Sequence, residues 1–439
     1  MCHAGKSSGL RSGIAFPEAG GPEERRAHVV GAGLAGLSAA VALAGCGWRV
    51  ALCEAGPAAG GRCRSYFDRA LGCRIDNGNH LLLAGNSAAI EYLETTGARA
   101  TLTGPGRALF PFFDLTNDER WVLAPNPGPL PFWIFCPSRR VPGTRGRDYW
   151  ALRRFFRASP EATVADMVPD GPLYRRLVVP LSVASLNTRP EQGSARLFGR
   201  VLEESLAQGG AACVPLYPRT GLSETFVDPA LAWLAGRGAE VRFGRRIAAL
   251  ETADGRIAAL VAADGERIAA QPGEAVVLAV PAPIAADLLP GLVVPDAFEA
   301  ILNLHFRVHV APGPAGFIAL LGGLAEWVFV KPEVVSVTVS AATRLMERPA
   351  DALAAEIWPE VCRALDLSGV QGEAMPSVRV VKERRATIAA TPAEERIRPG
   401  ARTAFANLAL AGDWTATGLP GTIEGAIRSG RIAADIFSR

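Results

Sequence analysis

Residues 29–47 read VVGAGLAGLSAAVALAGCG. Two valines end a short apolar run, and Gly31, Gly33 and Gly36 then fall at G-x-G-x-x-G spacing ahead of an alanine-rich helical stretch. That spacing at a strand-to-helix turn suits a bound dinucleotide. Gly31 permits the tight turn, Gly33 lets a pyrophosphate approach the backbone, and Gly36 lets helix and strand pack closely. The helix N-terminus then faces the phosphates. A second strand pattern, Trp48 to Cys53, ends at Glu54, whose carboxylate suits a ribose hydroxyl and disfavours a 2′-phosphate. The uncharged run Val29 to Trp48 is about as long as a membrane span. Its five glycines are better explained by the nucleotide turn and the helix end.

Working outward, GPAAGGRCRS (residues 56–65) offers a further backbone-exposing turn, Gly60-Gly61, and a cation, Arg62, for a diphosphate. Near the C-terminus, Leu408 onward reads as a strand ending in Gly412-Asp413. Gly421-Thr422 then opens a last helix, with Ile423, Ala426, Ile427 and Ile432 on an apolar face. An acid at a strand end can bind a ribityl chain or diphosphate. A following helix N-terminus can stabilise negative charge on a reduced flavin. Two such sites at opposite ends of the chain suit FAD better than NAD.

The 439 residues suffice for two or three units with real cores. Against 46 basic residues stand 43 acidic ones, and the resulting +3 is too little for a protein that must neutralise many phosphates, so no nucleic-acid partner is expected. The eight cysteines show no CxxC pair and no ligand spacing with histidine, which predicts reduced thiols in a cytoplasmic protein and no metal site. Residues 1–27, rich in Gly, Ser and charge, read as a disordered leader. Asp254-Gly255 and Asp264-Gly265 punctuate alternating strands as hairpin turns, and Glu274 to Val280 reads as a buried strand; all are expected in the cofactor-domain sheet. Pro131 to Cys136, PFWIFC, is too short to cross a bilayer. It reads either as lining of a substrate domain or as a surface segment docking on a membrane with Arg139-Arg140 at the headgroups.

The glycine turn with Glu54, GGR at residues 60–62, D-x-G at Asp76-Asn77-Gly78 and GDW…GTIEGA from Gly412 together resemble the FAD-dependent amine oxidase and phytoene desaturase superfamily. More narrowly, DNGNHLLL (76–83), SVASLNTRPEQGSARLF (182–198), PLYPRTGLSE (215–224) and GDWTATGLPGTIEGAIRSG (412–430) look like the squalene-associated desaturases, the hydroxysqualene dehydroxylase family. The resemblance implies an α/β fold with a discontinuous Rossmann-like FAD-binding domain (28–101, 215–290 and 401–439) and an α+β substrate-binding domain (102–214 and 291–400). It implies cofactor contacts at Gly31, Gly33, Leu34, Ala35, Gly36, Glu54, Gly61, Arg62, Gly78, Asn79, Ile247, Gly412, Asp413, Thr422 and Ile423.

The implied reaction is reductive removal of an allylic hydroxyl from hydroxysqualene, a long isoprenoid, with hydride from reduced FAD and a proton from a nearby acid. His80 is the candidate acid, because its unperturbed pKa lies near neutrality; a histidine bounded by leucines also reads as a hydrogen-bonded core residue. Asp76 and Asn77 read as turn-forming residues. His305 falls near where amine oxidases of this fold carry a flavin-side lysine, and none of Lys6, Lys331 and Lys382 falls there in sequence, which weighs against amine oxidation. A substrate of this kind implies an apolar tunnel and peripheral contact with the inner face of the membrane. The electron donor and oligomeric state stay open. The competing readings are an oxidative desaturase of a carotenoid precursor and a non-enzymatic isoprenoid carrier like the Rab escort proteins. The carrier is opposed by Glu54, Arg62 and Asp413.

Overall fold

The computed structural model describes residues 25–367 and 375–438. Most of the expected leader lies outside these, but its last three residues do not, and two of them, Arg26 and Ala27, pair in the first strand, where Ala27 is fully buried. Strands β1 (Arg26–Val30), β2 (Arg49–Cys53), β3 (Glu240–Arg242), β4 (Ala275–Leu278) and β5 (Leu408–Leu410) form a parallel sheet in the order β3-β2-β1-β4-β5. A parallel sheet is covered on both faces, and β4 and β5 are buried throughout. Successive residues point to opposite sides. Val29, Leu52 and Val277 pack under the helices Leu34–Gly45 and Ile423–Asp435, while Val30, Cys53 and Leu278 pack on the opposite side.

The hairpin turns form where expected, with Asp254 and Gly255 at φ 50° and 70°. Their strands do not join the parallel sheet. Ile247–Ala253, Arg256–Ala262 and Arg267–Ala269 make a separate antiparallel sheet, which buries Ile257 and Leu260 against β4 and β5. Alternation fixes which face of a strand is buried but says nothing of which sheet receives its edge.

A second large sheet of seven strands runs, in spatial order, Val378–Ile388, Phe298–Arg307, Val334–Val339, Trp327–Val330, Phe317–Leu321, Phe110–Asp114, Glu119–Leu123. One face, through Leu304, Phe306, Val335 and Val337, packs on Leu353, Ile357 and Val361 of the helix Ala350–Ala364. The other face bears Asn303, His305, Ser336 and Thr338, then the aromatic row Phe329, Trp327, Phe317 and Phe112. Between the two large sheets, Leu82–Leu83 and Leu102–Thr103 both pair with Pro215–Pro218. Among the described residues, no helix is long and apolar enough to cross a membrane.

Glu424 ties these parts together. Only 3% exposed, its carboxylate accepts the Ala88 and Ala89 N–H groups at the start of the helix Ser87–Thr95 (3.1 and 2.8 Å) and an Arg428 N–H (2.8 Å). Arg428 also grips Glu204 (2.7 and 2.9 Å). Glu424→Ala strands two buried amides and half of the arginine's partners, so equilibrium denaturation should show a loss of about 3 kcal/mol, with Glu424→Gln losing less.

Candidate active site

The cradle is built by sterics. Gly31 has φ +102°, and a Cβ there would lie 2.5 Å from the Ala279 carbonyl oxygen; a Cβ on Gly36 would lie 1.8 Å from the Gly31 carbonyl oxygen. The helix Leu34–Gly45 therefore starts hard against the strand ends. Gly33 differs, for among the described residues nothing lies within 4 Å of its would-be Cβ and no side chain caps the helix it begins. The first-turn amides, beginning at Leu34 and Ala35, have no partner within the helix and are available to an anion at this loop.

Glu54 stands at the end of β2 and braces this loop. One carboxylate oxygen accepts the Ala32 N–H and the other the Gly56 N–H, both at 2.7 Å. Each oxygen keeps a further lone-pair site for a ribose hydroxyl. The Arg245 N–H donates to the Glu54 carbonyl (2.7 Å), which sets buried Ile247 two residues beyond the same corner. Gly60 bridges to Gly33, and Gly61 lies against the Gly33 Cα.

Arg62 reaches from the glycine loop to the far end of the chain. Its guanidinium donates to Asp413 (2.6 Å) and to the Ala386 carbonyl (2.6 Å), and the Asp413 charge holds its pKa above the usual arginine range. Asp413 is buried, and Gly412 is fixed by the Ser429 hydroxyl (2.8 Å). The Thr422 hydroxyl caps the C-terminal helix at the Gly425 N–H (3.0 Å), with Ile423 buried behind it. Arg398 holds the intervening loop by donating to the Asp413, Thr415 and Leu419 carbonyls. An open glycine cradle, two helix N-termini and an acid at each of two strand ends match the parts of FAD: diphosphate, ribose and ribityl chain.

The DNGNH segment lies on the polar face of the seven-stranded sheet. Gly78 admits Asn303, whose amide nitrogen would be 3.1 Å from a Cβ there, and Asn303 donates to the Asn77 carbonyl (3.3 Å). Asn79 donates to the Thr338 hydroxyl (3.1 Å). Asp76 does not close a local turn. It accepts from the Ser65 hydroxyl (2.6 Å) and the Leu222 N–H (2.9 Å), and it forms an ion pair with Lys331. These contacts outweigh desolvation and hold the Asp76 carboxyl below its usual range.

Lys331 reaches this segment from a distant part of the chain. It follows the strand Trp327–Val330 and stands 255 residues from Asp76 in sequence, so no local pattern could signal the pairing. Asp76, Asn79, His80 and Lys331 line one pocket with Tyr217 and Phe329. Burial pushes His80 down to about 4; Asp76 opposes the shift, while Arg62 and Lys331 add to it. His305, 1% exposed and bonded to the Ser336 hydroxyl (2.7 Å), is likewise pushed down to about 4 by burial. Both imidazoles are uncharged at neutral pH. Beyond Tyr217 the wall is aromatic, with ring centroids 5.8 to 6.5 Å apart among Tyr217, Phe329, Phe317 and Trp327. Among the described residues no group of His, Cys, Asp and Glu is arranged to hold a metal ion.

Residues 34–311 and 325–436 match the family model for flavin containing amine oxidoreductase. The hydroxysqualene dehydroxylase of Rhodopseudomonas palustris is 49% identical over 410 residues, spanning 93% of this chain and 97% of that protein. Those of Sinorhizobium fredii (46%; 94% and 98% covered) and Zymomonas mobilis subsp. mobilis (41%; 93% and 98% covered) are similar over comparable spans. Among solved structures, cyclohexylamine oxidase from Brevibacterium oxydans superposes with a TM-score of 0.66 at 15% identity, covering 94% of this chain and 99% of that one. Putrescine oxidase bound to putrescine gives 0.67 at 16%, with the same coverage. At those identities the solved structures speak for the fold alone.

Asp413→Ala should lower flavin occupancy, read as the ratio of visible to ultraviolet absorbance, because it removes a buried acceptor and frees Arg62 to swing. The histidines generate a pH prediction. Each binds a proton near pH 4 when folded but near 6.5 when unfolded, so between these values the unfolded chain holds more protons and stability falls as pH is lowered. Denaturation at pH 7 and pH 4.5 should show that fall, and His305→Asn should remove up to about 3 kcal/mol of it. A stability independent of pH over this window would contradict the assignment.

Proposed function

The chain belongs to the hydroxysqualene dehydroxylase family, within the flavin-containing amine oxidoreductases, and we propose that it removes the hydroxyl of hydroxysqualene to give squalene. Support comes from one juxtaposition: a small charged pocket of Asp76, His80 and Lys331 opens directly onto the aromatic wall of Tyr217 and Phe329. A polar end for one oxygen and an apolar run for a long hydrocarbon are what such a substrate requires. Bound FAD, once reduced, supplies the hydride.

The protein's own part concerns the leaving oxygen. The carbon–oxygen bond breaks more readily as the oxygen gains a proton, and the oxygen departs as water. His80, uncharged at neutral pH, hydrogen-bonds the hydroxyl and orients it. The proton comes from the Lys331 ammonium, which Asp76 holds at the pocket. As positive charge develops on the allylic carbon, the aromatic faces of Tyr217 and Phe329 stabilise it and keep water away from it. The enzyme works in the cytoplasm, at the inner face of the membrane where so apolar an alcohol resides.

Lys331→Met should retain FAD and slow dehydroxylation by about 10² to 10⁴-fold. Lys331→Arg should recover part of that rate, and His80→Gln should lose less than Lys331→Met. Photoreduced protein mixed anaerobically with hydroxysqualene should regain the oxidised flavin spectrum with squalene appearing in equal amount. Unchanged spectra, or bleaching of oxidised flavin by a saturated carotenoid precursor, would overturn the reading.

A further inference from the structure

Segment 127–158 is split between interior and surface in a way the active site does not use. Trp133 and Ile134 face inward, with Trp133 edge-on to Tyr149 at 5.1 Å, and join the aromatic core that contains Phe317 and Phe329. Their neighbours face water: Leu130 is 62% exposed, Phe132 and Phe135 are each 66% exposed, and Trp150 is 60% exposed. Leu130, Phe132 and Phe135 fall within six residues of one another, and the fold brings Trp150 close to them. Phe135 stands against Gly146, where a Cβ would touch its ring at 2.7 Å, one turn before Trp150 on the helical stretch Gly146–Arg157. A monomer gains nothing from large rings held in water, and such patches mark interaction sites.

Charge selects the occupant. The segment carries seven arginines (139, 140, 145, 147, 153, 154 and 157) and one acid, Asp148. The chain as a whole is only +3, so everything outside the segment is net negative and the positive charge is concentrated here. Arg145, Arg147, Arg153, Arg154 and Arg157 are exposed, and the Arg153 guanidinium lies 5.1 Å from the Trp150 ring. Aromatic and aliphatic tips ringed by arginine match an interface of acyl chains beneath anionic headgroups. A protein partner would account for the apolar tips but not for so one-sided a charge.

We propose that this face docks on an anionic phospholipid bilayer, with Leu130, Phe132, Phe135 and Trp150 entering the acyl boundary and the arginines meeting the headgroups. The buried side of the same segment borders the aromatic wall, so docking sets the apolar interior against the lipid. That last clause rests on the hydrocarbon substrate proposed above; the docking itself does not.

The test is co-sedimentation of the flavin-loaded protein with phosphatidylglycerol vesicles and with phosphatidylcholine vesicles. Wild type should bind the anionic vesicles at least about tenfold more tightly, and less so as salt rises. The F132S/F135S/W150S variant should bind at least about tenfold more weakly at an unchanged melting temperature and flavin spectrum. A second variant, R153E/R154E/R157E, should lose the anionic preference while keeping residual binding. Variants that bind as wild type does, or a wild type that ignores phosphatidylglycerol, would overturn the proposal. So would sedimentation without vesicles that the triple serine variant abolishes, because a second copy of the chain would then cover the patch. Turnover of detergent-dispersed hydroxysqualene, followed in parallel, should survive in the serine variant. Its absence in wild type would count against the reaction and not against docking.

Discussion

One ion pair joins what the sequence keeps apart. Arg62 and Asp413 stand 351 residues from each other and meet at 2.6 Å, with the second arm of the guanidinium on the Ala386 carbonyl at the end of the seven-stranded sheet. The pair links the glycine loop, the C-terminal strand and the substrate sheet. Asp413 is buried, so its carboxylate depends on the pair, whereas the Arg62 side chain is 46% exposed and reaches in from the surface to meet it. Its geometry also sets the rim of the cofactor cradle. The loop that Arg398 pins behind Asp413 leads straight to the Thr422 cap, and the position of the second helix N-terminus follows from it.

A balance between charge and burial shapes the chemistry at the pocket. Two imidazoles face Asp76, one on its own segment and one on the neighbouring sheet, yet both are held neutral by desolvation. The charge that survives beside them belongs to Lys331, which keeps partial contact with water and a carboxylate partner. The Lys331–Asp76 pair therefore stands next to an apolar wall without leaving a buried uncompensated cation. The aromatic face that continues from it belongs to the same strands as the polar residues, because strand alternation turns Asn303, His305, Ser336 and Thr338 to one side and the valines and leucines to the other.

How far the sequence foretells this depends on range. The turn at Gly31, Gly33 and Gly36, the hairpins at Asp254 and Asp264, and the cap at Thr422 are written in adjacent residues, and their steric and hydrogen-bonding logic is local. Arg62 is legible as a cation near the cofactor but not as the partner of Asp413. Lys331 is illegible, since a lysine after an apolar strand is an ordinary surface residue until the fold brings Asp76 to it. Likewise Glu424 reads as part of a motif, whereas its work is to satisfy two amides of a helix more than 300 residues away. The strands from Ile247 to Ala269 show the remaining gap, because their pattern specifies strands without specifying the sheet.

The most direct measurement follows hydrogen from flavin to carbon. Protein photoreduced in D₂O, where the exchangeable hydrogen on the reduced ring becomes deuterium, is mixed without oxygen with hydroxysqualene, and the product is analysed by mass spectrometry. The account predicts squalene bearing one deuterium, on the carbon that lost oxygen, with one flavin oxidised per squalene formed. Squalene without deuterium, or flavin oxidation with no squalene, would contradict it.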